Sequence, residues 1–405
     1  MREAVAADVV VVGGGVAGLS CAQRLLDVGV HVAVVEADFC GSGASGRSSG
    51  FVTPASEIEL GSLVSSRGAA DAKRLWEFVL SGAEAIRRNI EQHAFACDYR
   101  EQDSLFVATG TRGMRAVEEE HHARATLGYA SQLYRGTAVG SVLGASGFPG
   151  AVRYGRTFGI DAYSYCQALR DWLAERGVGI YERSPVVRIR KDGVDTAHGS
   201  VDARNVIVCA DRFIPALGAL EKEIYHVQTF LGISTPIASS ELEALFPAAE
   251  MMVWDSDLVY GYFRRVGENR VLVGGGNVLQ TYAREPVRDT LRAADQLKNY
   301  MSIHCPRLSL AFDHVWSGML GVSKDLLPIM GPHPRHDTIW YAGAATGLPW
   351  AAAIGTYGAE RIAHCRSELD AILSPSRRFV IGRRLQAILS TPVTYALAHA
   401  VAKLA

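Results

Sequence analysis

The chain has 405 residues, of which 48% are hydrophobic; 41 Lys and Arg against 42 Asp and Glu leave a formal charge of −1. With no basic excess to neutralise phosphates, charge gives no support to a nucleic-acid partner. The length allows two or three domains, and the dispersed cysteines (Cys21, Cys40, Cys97, Cys166, Cys209, Cys305 and Cys365, with no C-x-x-C) read as reduced thiols of a cytoplasmic protein.

The first element is the most legible. "DVVVV" is a β-branched run suited to a strand buried on both faces, and "GGGVAGLS" is a glycine turn. "CAQRLLDVGV" follows with helical spacing of Ala22, Leu25, Leu26 and Val30, and "HVAVVE" is a second buried strand: a βαβ unit. The N-terminal apolar run is too short for a signal peptide, and no stretch reaches the ~18–20 apolar residues that span a bilayer. The spacing predicts a long amphipathic helix over 69–93, a strand at "DSLFVATG" and a helix over 112–127. "YSYCQALRDWLAERG" is a helix closed by Gly177, and "GIYERSPVVRIRKDG" and "ARNVIVCADRF" alternate like strands. From about 222 to 320, "YHVQTFLGISTPIA", "MMVWDSDLVYGYFRRVGENRVLVGGGN" and "FDHVWSGMLG" suit an antiparallel sheet, with a helix in "REPVRDTLRAADQLKNYMSIH". "TIWYAGAATGLPWAAAIGTYGAERIAHC" returns to strand, glycine-rich turn and helix. His121 and His122 in an acidic helix, and His333 and His336 in a loop, lack ligand spacing, so no metal is expected.

Gly13, Gly15 and Gly18 fit G-x-G-x-x-G, with Val16 and Ala17 between them. Gly13 permits the turn, Gly15 lets a pyrophosphate approach, and Gly18 lets the helix pack on the strand. The helix N-terminus then faces the phosphates, and Glu36, beside Ala37 at the end of the second strand, is placed to accept ribose hydroxyl bonds. A carboxylate there argues against a 2′-phosphate and leaves FAD and NAD open. "GRSSG", Gly46 to Gly50, formally spells the G-x-S-x-G of a nucleophile elbow. An elbow needs a strand running into the serine and a helix leaving it, and neither flanks Ser48.

Four stretches in order, "VVVVGGGVAGLSCAQRL", "GSGASGRSSG", "GIDAYSYCQAL" and "YAGAATGLPWAAAIG", resemble the FAD-dependent D-amino-acid oxidase/glycine oxidase/sarcosine oxidase superfamily, nearest the branch that includes gamma-glutamylputrescine oxidoreductase. The resemblance runs from residue 8 to about 365. It implies an α/β fold: a Rossmann-type FAD-binding domain interrupted in sequence (1–90, 150–220 and 325–372) and a substrate domain with a mainly antiparallel sheet (91–149 and 221–324). A C-terminal helical extension (373–405) lies beyond it.

By the resemblance, Ser45, Arg47, Ser48 and Ser49 line the flavin, with Arg47 over the ring or paired with a nearby acid. Val187 lies on the adenine-contacting strand, and Ala210 precedes Asp211, where relatives have glycine. Gly343, Gly347 and Leu348 present N–H groups to the flavin pyrimidine. Tyr260, Tyr262 and Arg264, on one face by alternation, are cavity candidates unless that strand faces outward. Lys324 and Trp350 are further candidates. No cysteine is well placed for a covalent flavin, Cys305 being nearest, so FAD is expected to be non-covalent.

Two departures widen the expectation. Val322 and Ser323 occupy the region of the arginine that grips the carboxylate in glycine oxidases, leaving amine and amino acid open as substrates. Leu272 aligns with the lysine that promotes oxygen reaction in sarcosine oxidases, leaving O2 or another acceptor open. The expected reaction is hydride transfer from the carbon beside an amine nitrogen to flavin N5, giving an imine that hydrolyses. The alternatives are a flavin monooxygenase, an NAD-linked dehydrogenase, or a non-catalytic protein stabilised by FAD. The tail, with two apolar helical segments broken at Pro392, is expected to pack on its own domain or a second subunit of a homo-oligomer, in preference to a membrane surface.

Overall fold

The computed structural model describes residues 4–55, 57–363 and 367–404; Cys365 lies outside them. The β-branched run forms strand Ala4–Val12, paired in parallel with Val32–Val35 on one side and Ser200–Val208 on the other. Gly179–Tyr181 extends this sheet beyond Val32–Val35, and His336–Gly343 joins the far half of Ser200–Val208, both in parallel. The near half of Ser200–Val208 instead carries the antiparallel strands Gly193–Thr196 and Val186–Arg190. Helices Val16–Asp27, Leu348–Ile362 and Leu60–His93 pack together against this layer. All four residues of Val32–Val35 are buried, as the unbroken apolar run requires of a strand covered on both faces.

A second eight-stranded sheet runs in the order 312–322, 225–234, 270–275, 262–266, 251–255, 103–107, 150–154, 132–135. It is antiparallel except where Met251–Asp255 lies parallel to Asp103–Val107. Gly150–Tyr154 therefore belongs to this second sheet, whereas the division drawn from sequence assigned it to the nucleotide-binding part. A small sheet of Phe51–Val52, Phe158–Gly159 and Arg100–Glu101 has no counterpart in the sequence reading, because two-residue strands carry no periodicity. Among the described residues, no helix is long and apolar enough to cross a membrane.

The helix expected over 69–93 spans Leu60–His93, with a break at Gly68 (φ 79°) that marks the expected start. In the tail the break falls at Ser390 (φ 68°), between Arg383–Leu389 and Thr391–Leu404. Pro392 does not break the helix; it sits in the first turn of the second one, where a missing N–H costs no bond.

Helix Gly110–Leu127 is tied to Leu60–His93 and the second sheet by a buried ion pair. Arg124 Nε lies 2.6 Å from Glu120 Oε1, and Glu120 Oε2 accepts the Gly61 N–H at 2.8 Å. The guanidinium lies flat on Tyr154, 3.3 Å from the ring centroid. Arg124→Met would leave a buried carboxylate without its counter-charge. Denaturant titration is expected to show a loss of about 3–5 kcal/mol at pH 8.

Candidate active site

The site begins where the first strand meets the first helix. Gly13 has φ 111°, and its N–H donates to the Val35 carbonyl at 2.9 Å. A Cβ on Gly13 would lie 2.6 Å from the Cys209 carbonyl oxygen, and one on Gly18 would overlap the Gly13 carbonyl. Three backbone segments thus converge with no room for a side chain between them. The Glu36 carboxylate, at the mouth of the second strand, accepts the Gly14 N–H at 2.7 Å and the Asp38 N–H at 2.9 Å.

The loop after Glu36 folds back across the helix start. Gly41 N–H donates to the Gly14 carbonyl at 2.9 Å, and Ser45 Oγ accepts the Val16 N–H at 3.0 Å. Ser48 lies in the run of turns that continues this loop. No strand enters it and no helix leaves it, so the elbow geometry is absent. Arg47 is exposed and its Nε donates to the Ser42 carbonyl at 3.1 Å.

A groove of about 380 Å3 runs over the glycine turn. Gly13, Gly15, Ala17, Glu36, Ala37, Ser45, Ala210 and Gly343 line it. Val16 is buried beneath, and Gly18 serves the strand–helix contact instead. Pro185 and Val186 form part of the groove wall beyond Glu36; the Val187 side chain points to solvent, 64% exposed. A bulge between Val186 and Arg188 shifts the register there. Arg212, which sequence reasoning passed over, also lines the groove, and burial lowers its guanidinium from its usual value.

Asp211 adopts the left-handed conformation (φ 45°) that a glycine, expected there from the resemblance, would take without strain. Its carboxylate accepts the Gly321 N–H at 2.6 Å and the Ala344 N–H at 3.1 Å, joining the two large sheets. Burial pushes this carboxyl up to about 6, against the backbone N–H groups that favour its charge.

The groove opens into a cavity of about 150 Å3, sharing Ala44, Ser45, Met319, Ala345 and Ala351 with it. Arg47, Ser48, Ser49, Tyr260, Tyr262, Gly347 and Leu348 line this cavity. Phe51, Trp254, Thr229 and Glu57 complete its walls. Phe51 meets Tyr262 edge-on at 5.8 Å, and Trp254 lies opposite Tyr262 in strand register. Tyr260 Oη donates to Glu57 Oε1 at 2.9 Å, and burial beside that carboxylate raises the phenol far above its usual value. Behind Trp254, whose indole N–H donates to Glu59 at 2.9 Å, burial and the nearby Glu120 push the Glu59 carboxyl up to about 8.

Three candidates lie elsewhere. Arg264 shares a face with Tyr262 but is 2% exposed. Its guanidinium donates to the Ser49 carbonyl at 2.7 Å and the Ile160 carbonyl at 2.6 Å, pinning the crossing loop from behind. Burial pulls it down to about 10. Lys324 faces the tail, 5.1 Å from the Phe379 ring centroid. Trp350 is buried in the helix layer against Phe78. Cys305 is buried in the core of the second sheet, and no described cysteine lines the catalytic cavity.

A glycine turn under a long groove, with a carboxylate at one end and an aromatic cavity at the other, fits an adenine dinucleotide with a bulky head group. The family model for FAD dependent oxidoreductases called DAO matches residues 8–361. The chain belongs to the DAO family. Its cofactor is therefore FAD, which settles the FAD-or-NAD alternative left by Glu36. Gamma-glutamylputrescine oxidoreductase of Escherichia coli is 28% identical over 362 residues, covering 86% of this chain and 81% of that relative. A probable oxidoreductase OrdL of Haemophilus influenzae is 26% identical, covering 88% and 83%. The DAO-family fold is shared with glycine oxidase from Geobacillus kaustophilus (TM-score 0.76, 20% identity, 94% of this chain and 100% of that one). L-proline dehydrogenase from P. horikoshii superposes with a TM-score of 0.75 at 18% identity, covering 93% and 98%.

Gly18→Ala forces the first helix off the Gly13 carbonyl. The variant is expected to purify with less than about a tenth of the wild-type flavin content, measured by absorbance after denaturation.

Proposed function

We propose that this DAO-family enzyme oxidises the carbon–nitrogen bond of an amine or amino acid, with FAD held non-covalently along the groove. Gly13, Gly15 and the start of helix Val16–Asp27 would hold the pyrophosphate, Glu36 the ribose, and Pro185 and Val186 the adenine. Ser45, Ser48, Ser49, Gly343, Gly347 and Leu348 would line the ring. When bound, FAD would supply the oxidising chemistry, accepting a hydride from the carbon beside the nitrogen and passing its electrons to O2 or another acceptor, and water would hydrolyse the resulting imine.

The observation that carries this reading is the Glu57–Tyr260 pair inside an aromatic cavity continuous with the groove. Glu57 is the one carboxylate among the described lining residues. It attracts a substrate ammonium and is placed to hold the proton that the nitrogen must lose before oxidation. Phe51, Trp254, Tyr260 and Tyr262 exclude water and orient the substrate's C–H bond, work that needs no further acid or base. Arg47, at the rim, is suited to an anionic substituent or to negative charge on the reduced ring. Two relatives are named for glycine and gamma-glutamylputrescine, both substrates with such a C–N bond, which supports the same class here. The six described cysteines are free, which supports a reducing compartment, the cytoplasm.

Anaerobic mixing of the FAD-loaded protein with a panel of primary and secondary amines and amino acids is expected to bleach the oxidised-flavin absorbance. Glu57→Gln is expected to slow that bleaching about 100-fold while flavin content stays at the wild-type level. A flavin that no amine or amino acid reduces would contradict the reading.

A further inference from the structure

Helix Thr391–Leu404 places Tyr395, His399 and Lys403, four residues apart, in one stripe against the chain's own second sheet. His399 is held on both sides. Its Nε2–H donates to the Ser323 carbonyl at 2.7 Å, and its Nδ1 accepts from Tyr282 Oη at 2.8 Å. Burial holds this imidazole down at about 4, so it is a neutral peg. One turn further on, Lys403 Nζ lies 3.8 Å from Glu57 Oε2 and 4.5 Å from the Tyr260 ring centroid.

His399 and Lys403 of that stripe line a second chamber of about 90 Å3. The chamber shares Glu57, Thr229, Tyr260, Tyr262 and Leu320 with the catalytic cavity, so the two are neighbours across the Glu57–Tyr260 pair. His399 and Lys403 form part of its far wall, with Tyr282 and Thr281. The Thr281 hydroxyl is buried and has no partner among the described residues. The whole helix lies outside residues 8–361, the stretch matched by the family model.

We propose that this chamber is a subsite for the distal end of an elongated amine, and that Lys403 determines its specificity by favouring a carboxylate there over a second ammonium. The proposal rests on the amine-oxidising reading, because it assumes the reacting nitrogen sits on the cavity side of Glu57. A distal carboxylate would meet the Lys403 ammonium and the unpaired Thr281 hydroxyl. A distal ammonium would meet the same cation, and Glu57, the carboxylate it could pair with, is already shared between Lys403 and the reacting nitrogen. The tail is then part of the site, supplying the charge that the family-matched portion leaves out.

The test compares dissociation constants of four probes for the FAD-loaded, full-length protein, by anaerobic calorimetry: 4-aminobutanoate, 1,4-diaminobutane, 6-aminohexanoate and 1,6-diaminohexane. The wild type is expected to prefer the carboxylate member of at least one length pair. Lys403→Met should shift that ratio about tenfold toward the diamine with flavin content unchanged, and Lys403→Arg should keep the wild-type ratio. Probes that bind with a ratio unmoved by Lys403→Met, or moved equally by Lys403→Arg, overturn the assignment of Lys403 alone. If no probe binds and no amine bleaches the flavin, the amine reading itself falls and takes this subsite with it.

Discussion

The close approach of three backbones at Gly13, Gly18 and Cys209 is the constraint on which the rest of the structure depends. It brings the first helix down onto the first strand and fixes where that helix begins. Ser45 then caps the helix start from the crossing loop, so the loop's path follows from the same contact. The loop delivers Arg47, Ser48 and Ser49 to the cavity, and Arg264 holds its last carbonyl from behind. Groove, roof and cavity are consequences of one packing decision made by two small residues.

That dependence explains what the sequence disclosed. The crossover was legible because each position in it answers to a local requirement: a positive φ, a missing side chain, a carboxylate closing a strand. The cavity wall was legible only in part: Tyr260 and Tyr262 were expected there and line it, but strands far apart in sequence assemble the rest. Trp254 reaches the cavity by lying opposite Tyr262, and Met319 by lying on a strand whose register is set by pairing with 225–234. Glu57 sits in an irregular stretch with no period to mark it. Alternation did place Arg264 on the face of Tyr262, but a long guanidinium goes where unpaired carbonyls are, and those belong to Ser49 and Ile160. Lys324 and Trp350 were assigned from position in a motif, and packing against the tail and the helix layer decided otherwise.

Asp211 and the tail each tie the first sheet's end of the molecule to the second sheet. A glycine would supply the left-handed turn at no cost in strain. Aspartate supplies it together with two accepted hydrogen bonds that tie the groove's floor to the second sheet and to the turn at Ala344. The tail adds a stripe of buried Tyr395 and His399 and half-buried Lys403, whose partners come from segments separated by up to several hundred residues of chain. Its composition, apolar with scattered arginines, favoured packing on its own domain or a second subunit over a membrane surface without showing where.

The central claim is that the groove over the glycine turn holds one FAD per chain without a covalent bond. Denaturing the purified protein and measuring flavin in the soluble and precipitated fractions tests it directly. The account predicts about one equivalent of FAD, all of it in the supernatant. A colourless protein that takes up no FAD on reconstitution, or a flavin that stays with the precipitated chain, would contradict it.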